Sequence, residues 1–304
     1  QHVRVADRVF LVPDRPGTTT RFEMIVNAGS SDEAGGEVRG VAHYLEHLIL
    51  VGRNAQHGDA AIRMFADASS NGWTNDRATA FLHTLPARPD GGAADLEKLF
   101  AFYAARLRDF SISDADAARE RNVVLQEHDL RIQSNPASRF YRDFNRALIP
   151  DHPAGAWTIG TRDSIRAMTL EDARAFHARW YVPANVWFVV RGDLAPDVVR
   201  AIAERTLGRG EAGGGADAAI PGRIRDRQPS LDGPTPDFVM RSDDMARPLV
   251  AVARMVRIDE SDRIRSQAMV SLLSAYANSR FPGSGYDQLV EVQRVAADDL
   301  SISI

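Results

Sequence analysis

At 304 residues, 44% of them hydrophobic and 26% charged, the chain is long enough to bury a large core and is expected to form two domains. Its 37 Lys and Arg against 41 Asp and Glu argue against a nucleic-acid partner or an anionic membrane surface. No uncharged apolar run is long enough to span a bilayer, and the absence of cysteine excludes disulfides and thiolate ligands while leaving the compartment open.

In chain order, Val3 to Val12 and Thr20 to Val26 read as paired strands, Val38 to Val51 and Asp59 to Ala68 as helices, and Phe81 to Leu85 as a strand after a turn. Helices follow at Ala93 to Phe110, Asp114 to Gln133 and Ala137 to Leu148, the second with Asp114 and Asp116 near its start, where carboxylates suit the helix dipole. Val186 to Val190 reads as a buried strand and Pro196 to Thr206 as a short helix. The fold class is therefore α+β. Residues 1–207 are expected to form the first domain, the Gly- and Pro-rich stretch 208–236 a linker, and 237–304 the start of a second domain, with a strand from Pro248 and a helix over Asp262 to Asn278. Leu300 to Ile304 alternates like a strand, but the chain stops inside it with no neighbour in view, which reads as a fragment of a longer protein.

The chemistry is concentrated in His43-Tyr44-Leu45-Glu46-His47. On a helix the two histidines lie about 40° apart on one face, so both imidazoles can hold one metal ion, and Glu46 flanks them by about 60°. Two imidazoles buried among Ala42, Leu45, Leu48 and Ile49 would cost free energy that a metal could offset. A catalytic zinc site needs a third protein ligand and an open position for water. Glu120 and Glu127, about 20° apart in direction and about 10 Å apart along one helix, both qualify, although such a pair is more often a solvated face. The other histidines, His83, His128 and His152 among them, read as structural.

The combination resembles the M16 family of zinc peptidases, the inverted-motif group. The resemblance is carried by His43-x-x-Glu46-His47, by Glu120-x6-Glu127 eighty residues further on, and by Gly29-Ser30-Ser31-Asp32-Glu33, Asn71-Gly72-Trp73-Thr74, Tyr181-Val182-Pro183-Ala184-Asn185 and Gly192-Asp193. The spacing to Glu127 exceeds the family's by a few residues, which fits an insertion at the Pro86 to Gly92 loop. Leu48 to Gly52 departs from the family's usual helix ending without touching a ligand. The resemblance implies two-layer domains of mixed β-sheet packed with helices, one Zn2+ per chain held by His43, His47 and Glu127, and Glu120 as an accessory glutamate acting on catalysis without binding the metal. It also implies that Asn71, Gly72, Trp73 and Thr74 form an edge strand that grips substrate.

The function this implies is a zinc-dependent endopeptidase acting on extended peptides, with Glu46 as general base and acid. Its partners would be a peptide substrate and a second M16-like half, in the same full-length chain or in a homologous subunit. An alternative is a non-catalytic structural or substrate-binding subunit of an M16-type heterodimer; the intact Glu46 argues against it. A zinc-stabilised interaction module lacks a visible fourth ligand, and a zinc hydrolase of esters or other amides stays open. Location is undetermined: a glutamine at position 1 fits a removed signal peptide or another trimmed start, with the periplasm slightly favoured over the cytoplasm.

Overall fold

The computed structural model describes residues 2–33, 39–52, 63–65, 67–150, 152–208, 253–257, 291–294 and 299–303. The expected linker beyond residue 208 and the helix over Asp262 to Asn278 lie outside these residues, as do five of the ten positions of the helix expected over Asp59 to Ala68, whose described residues 63–65, 67 and 68 are not α-helical. The chain divides into two compact units, residues 1–128 with 157–221 and residues 129–156 with 222–304.

The first unit is built on strands β1 (Val3–Ala6), β2 (Val9–Pro13), β3 (Thr20–Val26), β4 (Ser69–Thr74), β5 (Thr79–Leu85) and β6 (Val186–Gly192), and on helices α1 (Val41–Leu50), α2 (Ala93–Arg108) and α3 (Asp114–His128). Helices α5 (Arg162–Ala167), α6 (Leu170–Trp180) and α7 (Pro196–Leu207) complete it, while α4 (Pro136–Leu148) belongs to the second unit. The strands form one mixed sheet in the order β1-β2-β6-β3-β5-β4. Two expectations are corrected. Val3 to Val12 is a hairpin of two short strands, since Asp7 and Arg8 turn the chain, and it does not pair with β3. Instead β6 enters between them, parallel to β2 and antiparallel to β3.

Alternation along the strands sets which face is covered. Leu11, Phe22, Met24, Val26, Phe81, Phe188 and Val190 are buried, and Phe22 stacks on Tyr103 from α2 with ring centroids 5.5 Å apart. Thus β6, expected as a buried strand, is fully buried on one face, while Trp187 and Val189 on the other are only partly covered. Helix α2 presents Leu96, Leu99, Phe100 and Tyr103 at helical spacing to this core. Helix α1 packs against β4, β5, α3 and α6.

In the second unit α4 starts at Pro136, where Asn135 Oδ1 accepts from the Ser138 amide at 3.1 Å. Strands β7 (Ala253–Arg257), β8 (Glu291–Arg294) and β9 (Asp299–Ser303) form an antiparallel sheet in the order β7-β9-β8. The C-terminal strand, expected to lack a neighbour, is the central one and pairs on both sides.

Candidate metal centre and active site

Helix α1 carries the motif on a nearly fully buried turn, and both of its ends are fixed by specific groups. Gly40 precedes it at φ 95°, a left-handed conformation, where a Cβ would lie 2.5 Å from the Ile159 carbonyl oxygen. The buried Glu33 carboxylate then accepts from the Gly40 and Ala42 amides, each at 2.9 Å, satisfying two amides at the entrance of the helix. Beyond the last turn the fully buried Arg106 of α2 donates to the Gly52 carbonyl at 2.6 Å. Tyr44 OH donates to the Ala117 carbonyl at 2.7 Å and ties α1 to α3, the helix bearing both glutamates.

That tie sets the geometry. The rings of His43 and His47 lie 4.9 Å apart between centroids. Glu127 Oε2 stands 3.6 Å from His43 Nε2 and 3.2 Å from His47 Nε2. One ligand atom from each of His43, His47 and Glu127 falls within 4.8 Å of the other two. Glu120, about two helical turns away along α3, meets the other side of the same imidazole: its Oε2 is 3.7 Å from His47 Nδ1, and its Oε1 accepts from Arg119 Nε at 3.1 Å. The structure therefore brings His43, His47 and Glu127 together and sets Glu120 behind His47.

Burial pulls the His47 pKa down, but the nearby carboxylates of Glu120, Glu127 and Glu46 outweigh it, raising it to about 9. Two imidazoles facing a concentration of carboxylate charge form a donor set that a divalent cation satisfies better than a proton. The nitrogen and oxygen ligands, three in number, fit a catalytic zinc site, so His43, His47 and Glu127 are the residues that would hold zinc.

Glu46 turns to the sheet edge. Its Oε2 is 4.0 Å from His43 Nε2 and accepts from Thr74 Oγ1 at 2.7 Å. A Cβ added to Gly72 would lie 2.5 Å from Glu46 Oε1, so the missing side chain of Gly72 is what gives the carboxylate its place. Among the described residues β4 pairs only with β5, leaving its other edge free. The four edge-strand candidates thus divide by face: Gly72 and Thr74 pack toward Glu46, while Asn71 and Trp73 are exposed, Trp73 at 40%. Glu33 and Tyr44 lie inside stretches that carry the family resemblance, but neither was singled out for a role, and Arg106 and Arg119 carry no motif spacing that could have marked them in advance.

Residues 8–161 match the family model described as Insulinase (Peptidase family M16), and residues 167–293 match the one described as Peptidase M16 inactive domain. The zinc protease PqqE of Helicobacter pylori is 30% identical over 176 residues, which cover 57% of this chain and 38% of that protein. Among solved structures, a protease from Helicobacter pylori superimposes with a TM-score of 0.76 at 22% identity, over 100% of this chain and 73% of that one. The first half of the periplasmic protease PqqL from Escherichia coli does so with a TM-score of 0.72 at 19% identity, over 98% of this chain and 65% of that one. The chain spans about two fifths of the length of the curated relatives it matches.

Proposed function

Because the chain belongs to the M16 peptidase family, we propose that it is the zinc-bearing part of a zinc-dependent endopeptidase that hydrolyses extended peptides. The observation that carries this reading is the convergence of His43, His47 and Glu127 within 4.8 Å, beside a Glu46 held at a sheet edge that is free among the described residues. One zinc ion per chain is expected there. When bound, zinc supplies Lewis-acid chemistry, lowering the pKa of water toward about 7 and polarising a carbonyl oxygen.

The chain's own residues do the rest. The free edge of β4 offers backbone donors and acceptors at which a peptide adds as a further strand, a mode that accepts many sequences. Glu46 takes the proton of the attacking water and later delivers it to the departing amine. Thr74 holds one oxygen of that carboxylate by hydrogen bond, and Gly72 leaves room for the other. Glu120 orients His47 from behind, as carboxylates behind metal-binding histidines do. A second M16-like half, in the full-length chain or in a homologous subunit, is proposed to close over the peptide. The M16 inactive-domain match begins at residue 167, beyond every one of these site residues, so it does not favour the reading as a non-catalytic subunit. A periplasmic location is supported by the description of the PqqL structure as periplasmic; among the described residues no helix is long and apolar enough to cross a membrane.

The test is Glu46→Gln in the zinc-loaded full-length protein, assayed on a fluorogenic peptide library. The nearly isosteric amide should keep zinc and fold but lose at least about a hundredfold in hydrolysis. Wild-type turnover by the variant would remove Glu46 from the mechanism.

A further inference from the structure

A hydrogen-bonded chain runs from the core to the same sheet edge. Ser70 is paired with His83 across β4 and β5, and its Oγ lies 2.8 Å from His83 Nδ1. His83 Nε2 lies 2.6 Å from the hydroxyl of Tyr103, on α2. His83 and Tyr103 are buried, and Ser70 is half-buried.

The proton positions along this chain follow from counting donors. Burial lowers the His83 pKa to about 4, so at neutral pH the ring is uncharged, with one N–H and one lone pair. Either neighbour could donate to the lone pair. The Tyr103 hydroxyl has no other hydrogen-bond partner among the described residues, and orienting its proton away from His83 would leave a buried donor unpaired. Tyr103 therefore donates to Nε2, and the Nδ1–H donates to Ser70 Oγ. The proton of Ser70 is left over. Because Ser70 is half-buried, that proton is available to a group from outside the core.

Ser70, Gly72 and Thr74 share the face of β4 turned toward Glu46, and Ser70 stands two residues, roughly 6–7 Å, from Gly72. From this we infer that Ser70 is a specificity-determining residue, whose hydroxyl, oriented by His83 and Tyr103, donates to an acceptor-bearing side chain of the bound peptide two positions from the residue lying against Gly72. The acceptor would be a carboxylate, amide or hydroxyl. His83 and Tyr103 are positioning residues that never touch substrate. This rests on the peptidase reading given above.

Two measurements test it. Nitrogen-15 NMR of the imidazole rings should find His83 protonated on Nδ1; protonation on Nε2 would overturn the assignment. Paired peptides differing only by Asn or Leu at that position should be cut by the zinc-loaded full-length protein with a preference for Asn. In Ser70→Ala the ratio of the two kcat/KM values should fall about tenfold, the loss of one hydrogen bond. An unchanged ratio, or no preference in the wild type, would overturn the role of Ser70 and leave the peptidase reading standing. Failure of the wild type to cut either peptide, or any peptide of the library, would overturn both.

Discussion

Glu120 and Glu127 leave one helix seven residues apart and arrive on opposite nitrogens of the same imidazole, so one touches the proposed metal position and the other only its ligand. The two amides should therefore behave differently. Glu120→Gln should weaken zinc binding by about tenfold, as loss of a group behind a ligand does, and Glu127→Gln by well over about a hundredfold. Competition with a fluorescent zinc chelator measures both, and equal losses would mean that the third ligand is misassigned. At this scale the sequence was informative wherever one helix carries the chemistry: the i, i+4 spacing of His43 and His47 and the seven-residue spacing of the glutamates required no tertiary knowledge. It was silent where separate elements meet. Ser70, His83 and Tyr103 come from three elements, and His83 read alone is an ordinary strand histidine.

Helix α6, which packs directly on α1, is not among the expected elements, although Leu170, Ala173, Phe176, His177 and Trp180 recur at helical spacing and are buried. A second signal lies at its start, where Thr169 Oγ1 accepts from the Asp172 amide at 3.2 Å and Asp172 accepts from the Thr169 amide at 2.8 Å, a reciprocal cap of the Thr-x-x-Asp type. Thr169→Ala should cost about 1 kcal/mol of folding stability, read from urea unfolding. No loss would mean that packing on α1 alone starts the helix. Helix α5 has a similar cap at Thr161 and Ser164, but its six residues are too short to show a period. The longer helices α2, α3 and α7 were legible because their apolar spacing persists over several turns or their first turns carry acids. The insertion of β6 between β2 and β3 was illegible, because parallel pairing of Val9 with Phe188 is a contact across most of the described chain.

Two buried imidazoles govern how the whole fold meets acid. His83 and His177, whose Nε2 lies 2.8 Å from the Arg106 carbonyl, both have pKa values lowered by burial to about 4. Above the unfolded value of 6.5 they are neutral in both states; below it the unfolded chain gains protons that the folded one refuses. Stability should thus fall as pH drops from about 6.5 to about 4, by up to about 3 kcal/mol for each group. His47, raised to about 9, acts in the opposite sense and only above that window. Urea midpoints of the zinc-free protein at pH 7 and pH 5 check this; equal midpoints would show that the rings take up protons without unfolding. Since this chain spans only part of its relatives' length, the peptidase reading also predicts cooperation with a second half. The 304-residue chain alone should bind zinc but show kcat/KM far below that of the full-length protein or of a mixture with its partner subunit, because fixing the attack geometry needs both sides of the peptide. Full activity from the chain alone would exclude a closing half.

The link between Glu46 and the edge strand makes the length of a turn a catalytic quantity. Asn75 closes the turn between β4 and β5 through its own backbone pairing with Ala78, at 2.9 Å, and through a side-chain oxygen that accepts from the Arg77 and Ala78 amides. Strand residues alternate between faces, so one residue added to or removed from this turn slides β4 by half a pleat. Ser70, Gly72 and Thr74 would exchange places with Asn71 and Trp73, and a tryptophan would meet the carboxylate where a glycine now makes way for it. The zinc helix and the rest of the sheet would be untouched. Insertions that most surface hairpins absorb without consequence would here silence the proposed general base from a distance, leaving the proposed metal ligands in place.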